Sequence, residues 1–141
     1  MDTAFTVHLP VDTGSVPFIR GLCRQALEHL DVERTVVDEI SLALTEACAN
    51  VVQHAGEHVL YEVAVSIDDR LCRISVVDDG EGFDPAAPLE GDERTPLEDG
   101  RGLLLMQALV DRLQFENTED GRHGVVLEKR LVTSPRLRLL T

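Results

Sequence analysis

The stretch VAVSIDDRLCRISVVD, residues 63–78, decides how this chain folds. Val63, Val65 and Ile67 alternate with polar or small residues, and Cys72, Ile74 and Val76 alternate again after Asp68-Asp69-Arg70. A period of two on both sides of an acidic turn reads as a β-hairpin with one apolar face. The preceding segment has a different period. From 33 to 55, ending at Gly56, Ile40, Leu44, Ala47 and Val51 fall on one stripe of a helix. The sheet is therefore antiparallel at this point and needs a helical layer to cover it.

Working outward, Phe5, Val7 and Leu9 read as a first short strand. Ser15 is expected to cap a helix with Pro17 in its first turn, and helical spacing of apolar residues continues over 18–30. Residues 84–99 are rich in Pro, Gly and acid, which reads as a long loop. A third helix is expected from near Gly102. Leu113, Phe115, a turn over 117–121 and the run 125–131 form a closing hairpin. The order β-α-α-β-β-loop-α-β-β predicts an α/β two-layer sandwich: a mixed, mostly antiparallel sheet with three helices on one face.

The chain has 141 residues, an ordinary size for one domain, and 43% are hydrophobic, too many for a disordered chain. Lys plus Arg number 13 against 26 acids, a net charge of −13. Such a field argues against direct nucleic-acid binding or adhesion to anionic lipid. No signal peptide or membrane span is expected. Cys23, Cys48 and Cys72 sit singly among apolar neighbours and read as reduced core thiols of a cytoplasmic protein.

Three constellations carry chemistry. Glu46, Asn50 and His54 recur at i, i+4, i+8, within about 80° of one another and about 90° from the core stripe of their helix. Alone, such a triplet reads most often as a polar boundary. Strict alternation then puts Asp78 on the same side as Cys72, Ile74 and Val76, where a carboxylate needs donors. Gly80 and Gly82 follow, and they allow backbone to lie flat against a ligand; a simple Asp-Gly turn is the bland alternative. Gly100-Arg101-Gly102-Leu103 is read as opening a helix, a place where anions bind. The spacings fit neither a calcium loop nor the Walker and dinucleotide glycine motifs.

Together the spacings Glu46-x-x-x-Asn50-x-x-x-His54, Asp78-x-Gly80-x-Gly82 and Gly100-x-Gly102 resemble the N, G1 and G2 boxes of the GHKL ATP-binding superfamily, which includes gyrase and the histidine kinases. The stretches TEACANVVQHA, VVDDGEGFDP and GRGLLLMQALVD look most like its anti-sigma-factor serine kinases. The resemblance implies a Bergerat-type fold, with one kinase domain over 1–133 and a tail over 134–141. It implies ATP and Mg²⁺ as cofactors. Asp78 would accept from the adenine amine, Gly80 and Gly82 would lie against the base, and Asn50 would ligate Mg²⁺. Glu46 would be the general base. Gly100, Arg101 and Gly102 would hold phosphate, with His54 and Leu103 completing the nucleotide site and 84–99 forming a lid.

The partners implied are a sigma factor, held inactive, and a STAS-type anti-anti-sigma protein, phosphorylated on serine. A homodimer is implied as well, with the first strand and helix as its natural surfaces. Arg20 and Arg24, one turn apart on that helix, read equally as a partner contact or as a solvated pair with Glu28. The last strand departs from the family: His123-Gly124-Val125-Val126 stands where members often carry Thr. Other readings are a kinase-silent ATP-binding sequestering protein, a conformational ATP switch with unrelated partners, and an adaptor without nucleotide. The tail, where Arg136 and Arg138 alternate with leucines, reads as an interaction segment or as disorder.

Overall fold

The strands β1 (Thr3–Pro10), β2 (Leu60–Ile67), β3 (Leu71–Asp78), β4 (Arg112–Asn117) and β5 (His123–Arg130) form one sheet in the order β1-β2-β3-β5-β4. The helices are α1 (Ser15–His29), α2 (Arg34–His54) and α3 (Pro96–Leu109). This computed structural model describes residues 2–54, 60–78, 96–117 and 123–132. The expected two-layer α/β architecture holds. All four strand pairings are antiparallel, so the described sheet lacks the parallel pair that a mixed sheet would have. The reason lies in the crossover through α3. It returns β4 in the direction of β3 but leaves one strand position between them, and β5 fills it antiparallel to both.

One face of the sheet is apolar. Phe5, Val7 and Leu9 on β1 stand beside Val65, Val63 and Tyr61 on β2. Val63, Val65 and Ile67 in turn face Val76, Ile74 and Cys72 on β3, and Leu127 and Val125 continue the rows on β5. Helix α2 packs over this face with α1 and α3 on either side, burying Ile40, Ala43, Leu44 and Ala47. The α1 stripe Val16, Ile19, Cys23 and Leu27 and the α3 residue Met106 close the core. Each fully buried Leu, Ile or Val contributes about 1.5–3 kcal/mol. All three cysteines are free and buried, as expected of core thiols.

Local chemistry sets the joints. Asp68 Oδ1 accepts from the Arg70 and Leu71 amides, both at 2.7 Å, and makes the β2–β3 turn. Those two bonds hold its carboxyl below the usual range. Ser15 is not the cap of α1. Gly14 takes that place in helical conformation, and Asp12 Oδ1 receives the Ser15 amide at 2.9 Å. The Ser15 hydroxyl, freed from capping, donates to the Asp12 carbonyl at 2.8 Å and lies 2.6 Å from the Tyr61 hydroxyl. Ser15 has one proton to give, so Tyr61 donates in that pair.

The opposite face is mostly polar, with His8–Glu62 (3.1 Å) and Arg73–Glu128 (3.7 Å) paired between directly opposed residues, though it also holds the buried Val77 and Val126. At its upper end β5 comes very close to β3. A Cβ on Gly124 would sit 3.0 Å from the Val76 carbonyl oxygen and from Val77 Cγ2. The carbonyl belongs to the central strand and cannot yield. Gly124→Ala is therefore expected to destabilise the fold by about 1–3 kcal/mol, read as a lower urea midpoint with an unchanged m-value.

Burial pushes the Cys23 and Cys48 thiols up to about 12, and Cys72 is raised for the same reason. Folded values above those of the unfolded chain mean that this contribution is complete below about pH 8.5 and is lost as the pH climbs toward 12. Unfolding free energy should thus decline from about pH 9 upward. A disulfide reagent at pH 8 should label no thiol in the folded protein and all three in urea.

Candidate functional site

Three turns of α2 build the first wall. Ile40, Leu44 and Ala47 are fully buried, which fixes the rotation of the helix and leaves Glu46 and Asn50 half-buried on its shoulder. His54 is the last residue of α2. Across from the shoulder runs α3. A Cβ on Gly102 would lie 3.2 Å from Glu46 Oε1. The absence of a side chain at 102 is what lets the Glu46 carboxylate lie against the backbone of α3. Two constellations far apart in sequence thus meet.

Asp78 forms the second wall. It is 3% exposed at the end of β3, on the face that carries Cys72, Ile74 and Val76, and its Oδ2 is shielded from solvent. Its partner in the register is Tyr61. Tyr61 hydrogen-bonds Ser15 on one side and stands near Cys48 of α2 on the other, and burial raises its phenol to about 12. This Ser15–Tyr61–Cys48 link ties α1 and α2 to the rung that holds Asp78. Sequence reasoning missed it, although extending the alternation back from Val63 would have turned Tyr61 inward.

Other expected residues fall as follows. Gly80, Gly82 and the part of the expected lid over 84–95 lie outside the described residues, as does the tail over 134–141. Residues 96–99, expected as loop, form the first turn of α3, which starts six residues before Gly102. Pro96 suits a first helical position, and Glu98 and Asp99 favour the positive end of the dipole. Gly100, Arg101 and Gly102 therefore stand in the second turn and do not open the helix. The amides without helical partners lie before Gly100, at the start of the helix, where Pro96 carries no N–H at all. Leu103 is half-buried, and Leu104 is 66% exposed.

Arg24 is engaged by Asp38 Oδ1 at 2.5 Å, Glu28 Oε2 at 3.4 Å and Ser41 Oγ at 3.3 Å. It pins α1 to α2, and its guanidinium is held further toward the charged form, mainly by the Asp38 bond. Among the described residues Arg20 makes only a 3.4 Å contact to Thr45 Oγ1, a weaker hold than that on Arg24.

The donor set suits a purine nucleotide. A buried carboxylate on an apolar face can take an exocyclic amine, and the cleared backbone at Gly102 leaves room beside Glu46. Among the described residues no group of three or more His, Cys, Asp and Glu could hold a metal. A cation on the Asn50 amide oxygen would take its remaining ligands from phosphate and water. No helix among the described residues is long and apolar enough to cross a membrane.

Comparison with known proteins agrees with this geometry. The Histidine kinase-like ATPase domain family matches residues 9–129. The chain is 34% identical over 125 residues to the Serine-protein kinase RsbW of Bacillus cereus (strain Q1), covering 80% of this chain and 77% of that protein. It is 31% identical over 124 residues to the Serine-protein kinase RsbW of Bacillus anthracis (strain CDC 684 / NRRL 3495), with the same coverage. Among solved structures, the RsbU and RsbW domains of Rv1364c from Mycobacterium tuberculosis superpose with a TM-score of 0.69 at 20% identity. That match covers 92% of this chain but only 32% of the mycobacterial one. The SiaB-SiaC complex from Pseudomonas aeruginosa gives 0.60 at 17% identity, covering 89% of each chain. At these identities the two structures speak for the fold alone.

The glycine at 102 offers a clean separation of stability from site geometry. Ala is favoured over Gly in a helix by about 1 kcal/mol, and among the described residues the neighbour crowded is the movable Glu46 carboxylate. Gly102→Ala should leave the thermal midpoint unchanged or raised. Any activity that depends on Glu46 should fall in the same sample.

Proposed function

Because the chain belongs to the Histidine kinase-like ATPase domain family, we propose that it is an ATP-dependent serine/threonine protein kinase and anti-sigma factor. It transfers the γ-phosphoryl group of ATP to a serine of a STAS-type anti-anti-sigma protein, and it sequesters a sigma factor. The observation that carries this reading is the approach of the Glu46 carboxylate to Gly102, which joins a base to the glycine segment of α3. Similarity to RsbW serine-protein kinases supports it.

In this reading Asp78 accepts a hydrogen bond from the adenine amine, and Gly80 and Gly82 lie against the base. Asn50 would supply a neutral oxygen ligand to Mg²⁺, and the ion would offset the charge of the phosphates. His54 and Leu103 line the site. Glu46 orients the attacking serine hydroxyl and takes its proton as oxygen bonds to the γ-phosphorus and ADP leaves. Arg101 and the amides of Gly100 and Gly102 hold phosphate. Since those amides lie in the second turn of α3, their use as donors requires the first turn to open when nucleotide binds. The kinase domain spans 1–133 with a tail over 134–141. The protein works in the cytoplasm as a homodimer through β1 and α1, with Arg20 and Arg24 toward its protein partners.

The test is incubation of the purified chain with labelled ATP, Mg²⁺ and candidate STAS proteins. Glu46→Gln keeps size and polarity but cannot take the proton. It should bind ATP and the sigma factor normally while phosphorylation falls by about 10²–10⁴. Asn50→Ala should lose Mg²⁺-dependent nucleotide binding as well. Phosphorylation by Glu46→Gln at the normal rate would place the base elsewhere. A wild-type chain that holds a sigma factor yet labels no STAS protein would be a sequestering regulator and not a kinase.

A further inference from the structure

Asp78 has a neighbour that the proposed mechanism does not use. The β3–β5 register pairs Val76 with Val125 and Val77 with Gly124. One further step along the same ladder sets His123 opposite Asp78. The adjoining registers pair Tyr61 with Asp78 and Asn117 with His123. The last rung of the apolar face is thus Tyr61, Asp78, His123 and Asn117, a polar row at the end of rows made of Val, Ile, Leu and Phe. Directly opposed residues of antiparallel strands have Cβ atoms about 4.5–5.5 Å apart.

The approach is tighter than usual beside this rung. Gly124 lies so close to β3 that a Cβ there would meet the Val76 carbonyl oxygen and Val77 at 3.0 Å. That contact locks β5 against slipping and holds His123 at its place. Burial separates the two side chains: Asp78 is 3% exposed, while His123 is half-buried. An imidazole carries an N–H donor, and a carboxylate has about four acceptor sites, more than one amine can occupy.

We propose that His123 is a positioning residue for base recognition: it sits beside Asp78 on the last rung and orients the carboxylate toward the exocyclic amine of the purine. This rests on the reading of Asp78 as the base acceptor. Without the imidazole the carboxylate keeps its burial but loses its preferred orientation, so the amine meets a less ordered acceptor.

The experiment is a calorimetric titration of the full chain with ATP and with purine riboside triphosphate, which lacks the amine, both with Mg²⁺. His123→Ala should weaken ATP by about 5- to 20-fold and change binding of the amine-free nucleotide by less than about twofold. His123→Gln, which keeps an N–H donor, should recover most of the ATP affinity. Unchanged ATP affinity in His123→Ala overturns the proposal. So does an equal loss for both nucleotides, which would be a structural effect. The underlying reading is judged separately in the wild type: if it binds both nucleotides equally well, no group recognises the amine and the base site itself is wrong. If it prefers ATP and His123→Ala keeps that preference, only the role of His123 falls. Because the comparison is made on the ligand, it does not depend on an Asp78 variant that folds.

Discussion

The rotation of α2 about its own axis is the constraint from which the site follows. Ile40, Ala43, Leu44 and Ala47 are buried against the sheet, and Cys48 is buried beside them. Turning the helix to bring Glu46 inward would exchange apolar side chains for a carboxylate, at a cost of several kcal/mol. Turning it outward would expose the core stripe. Glu46 and Asn50 are held on the shoulder between these two penalties. The neighbours reinforce the setting: Arg24 of α1 grips Asp38, and Lys129 of β5 reaches Glu39 at 3.1 Å.

Asp78 is held by the complementary layer. The sheet brings it to the end of an apolar strand face by simple alternation, and it is buried there. Its rung is connected through Tyr61 to Ser15 at the start of α1 and to Cys48 in the middle of α2. The two walls of the site are consequently joined by a buried polar link at the back, while the approach of Glu46 to Gly102 joins α2 to α3. Positions that are separate in sequence acquire a common geometry because each is attached to α2.

Much of this was legible in the residues, because periodicity reports burial. The alternation in 63–78 revealed the hairpin, the inward side of Asp78 and the apolar face. The stripe of α2 revealed which residues stand on its shoulder. What stayed hidden depends on tertiary pairing or on local competition. The start of α3 is hard to read because Pro96, Leu97, Glu98 and Asp99 carry no apolar stripe, only the weaker signals of an early proline and early acids. Ser15 reads as a cap from local sequence, but Asp12 Oδ1 takes the Ser15 amide, the helix begins at Ser15 itself, and the Ser15 hydroxyl turns back to the Asp12 carbonyl. The neighbourhood of His123 could not be read locally, since it depends on where β5 enters a sheet whose crossover it follows.

The pairing of β1 with β2 carries a consequence for how the chain reaches this state. Thr3 lies against Ile67, so the strand at the edge joins the sheet only across the whole of α1 and α2. The β2–β3 and β4–β5 pairs are by contrast contiguous hairpins that close over short distances. Loop-closure entropy favours the hairpins first and disfavours the edge strand until both helices have condensed. During synthesis β1 leaves the ribosome before its partner exists. The nascent chain therefore carries Phe5, Val7 and Leu9 unpaired until residue 67 has emerged, an interval in which a strand edge is open to any other chain.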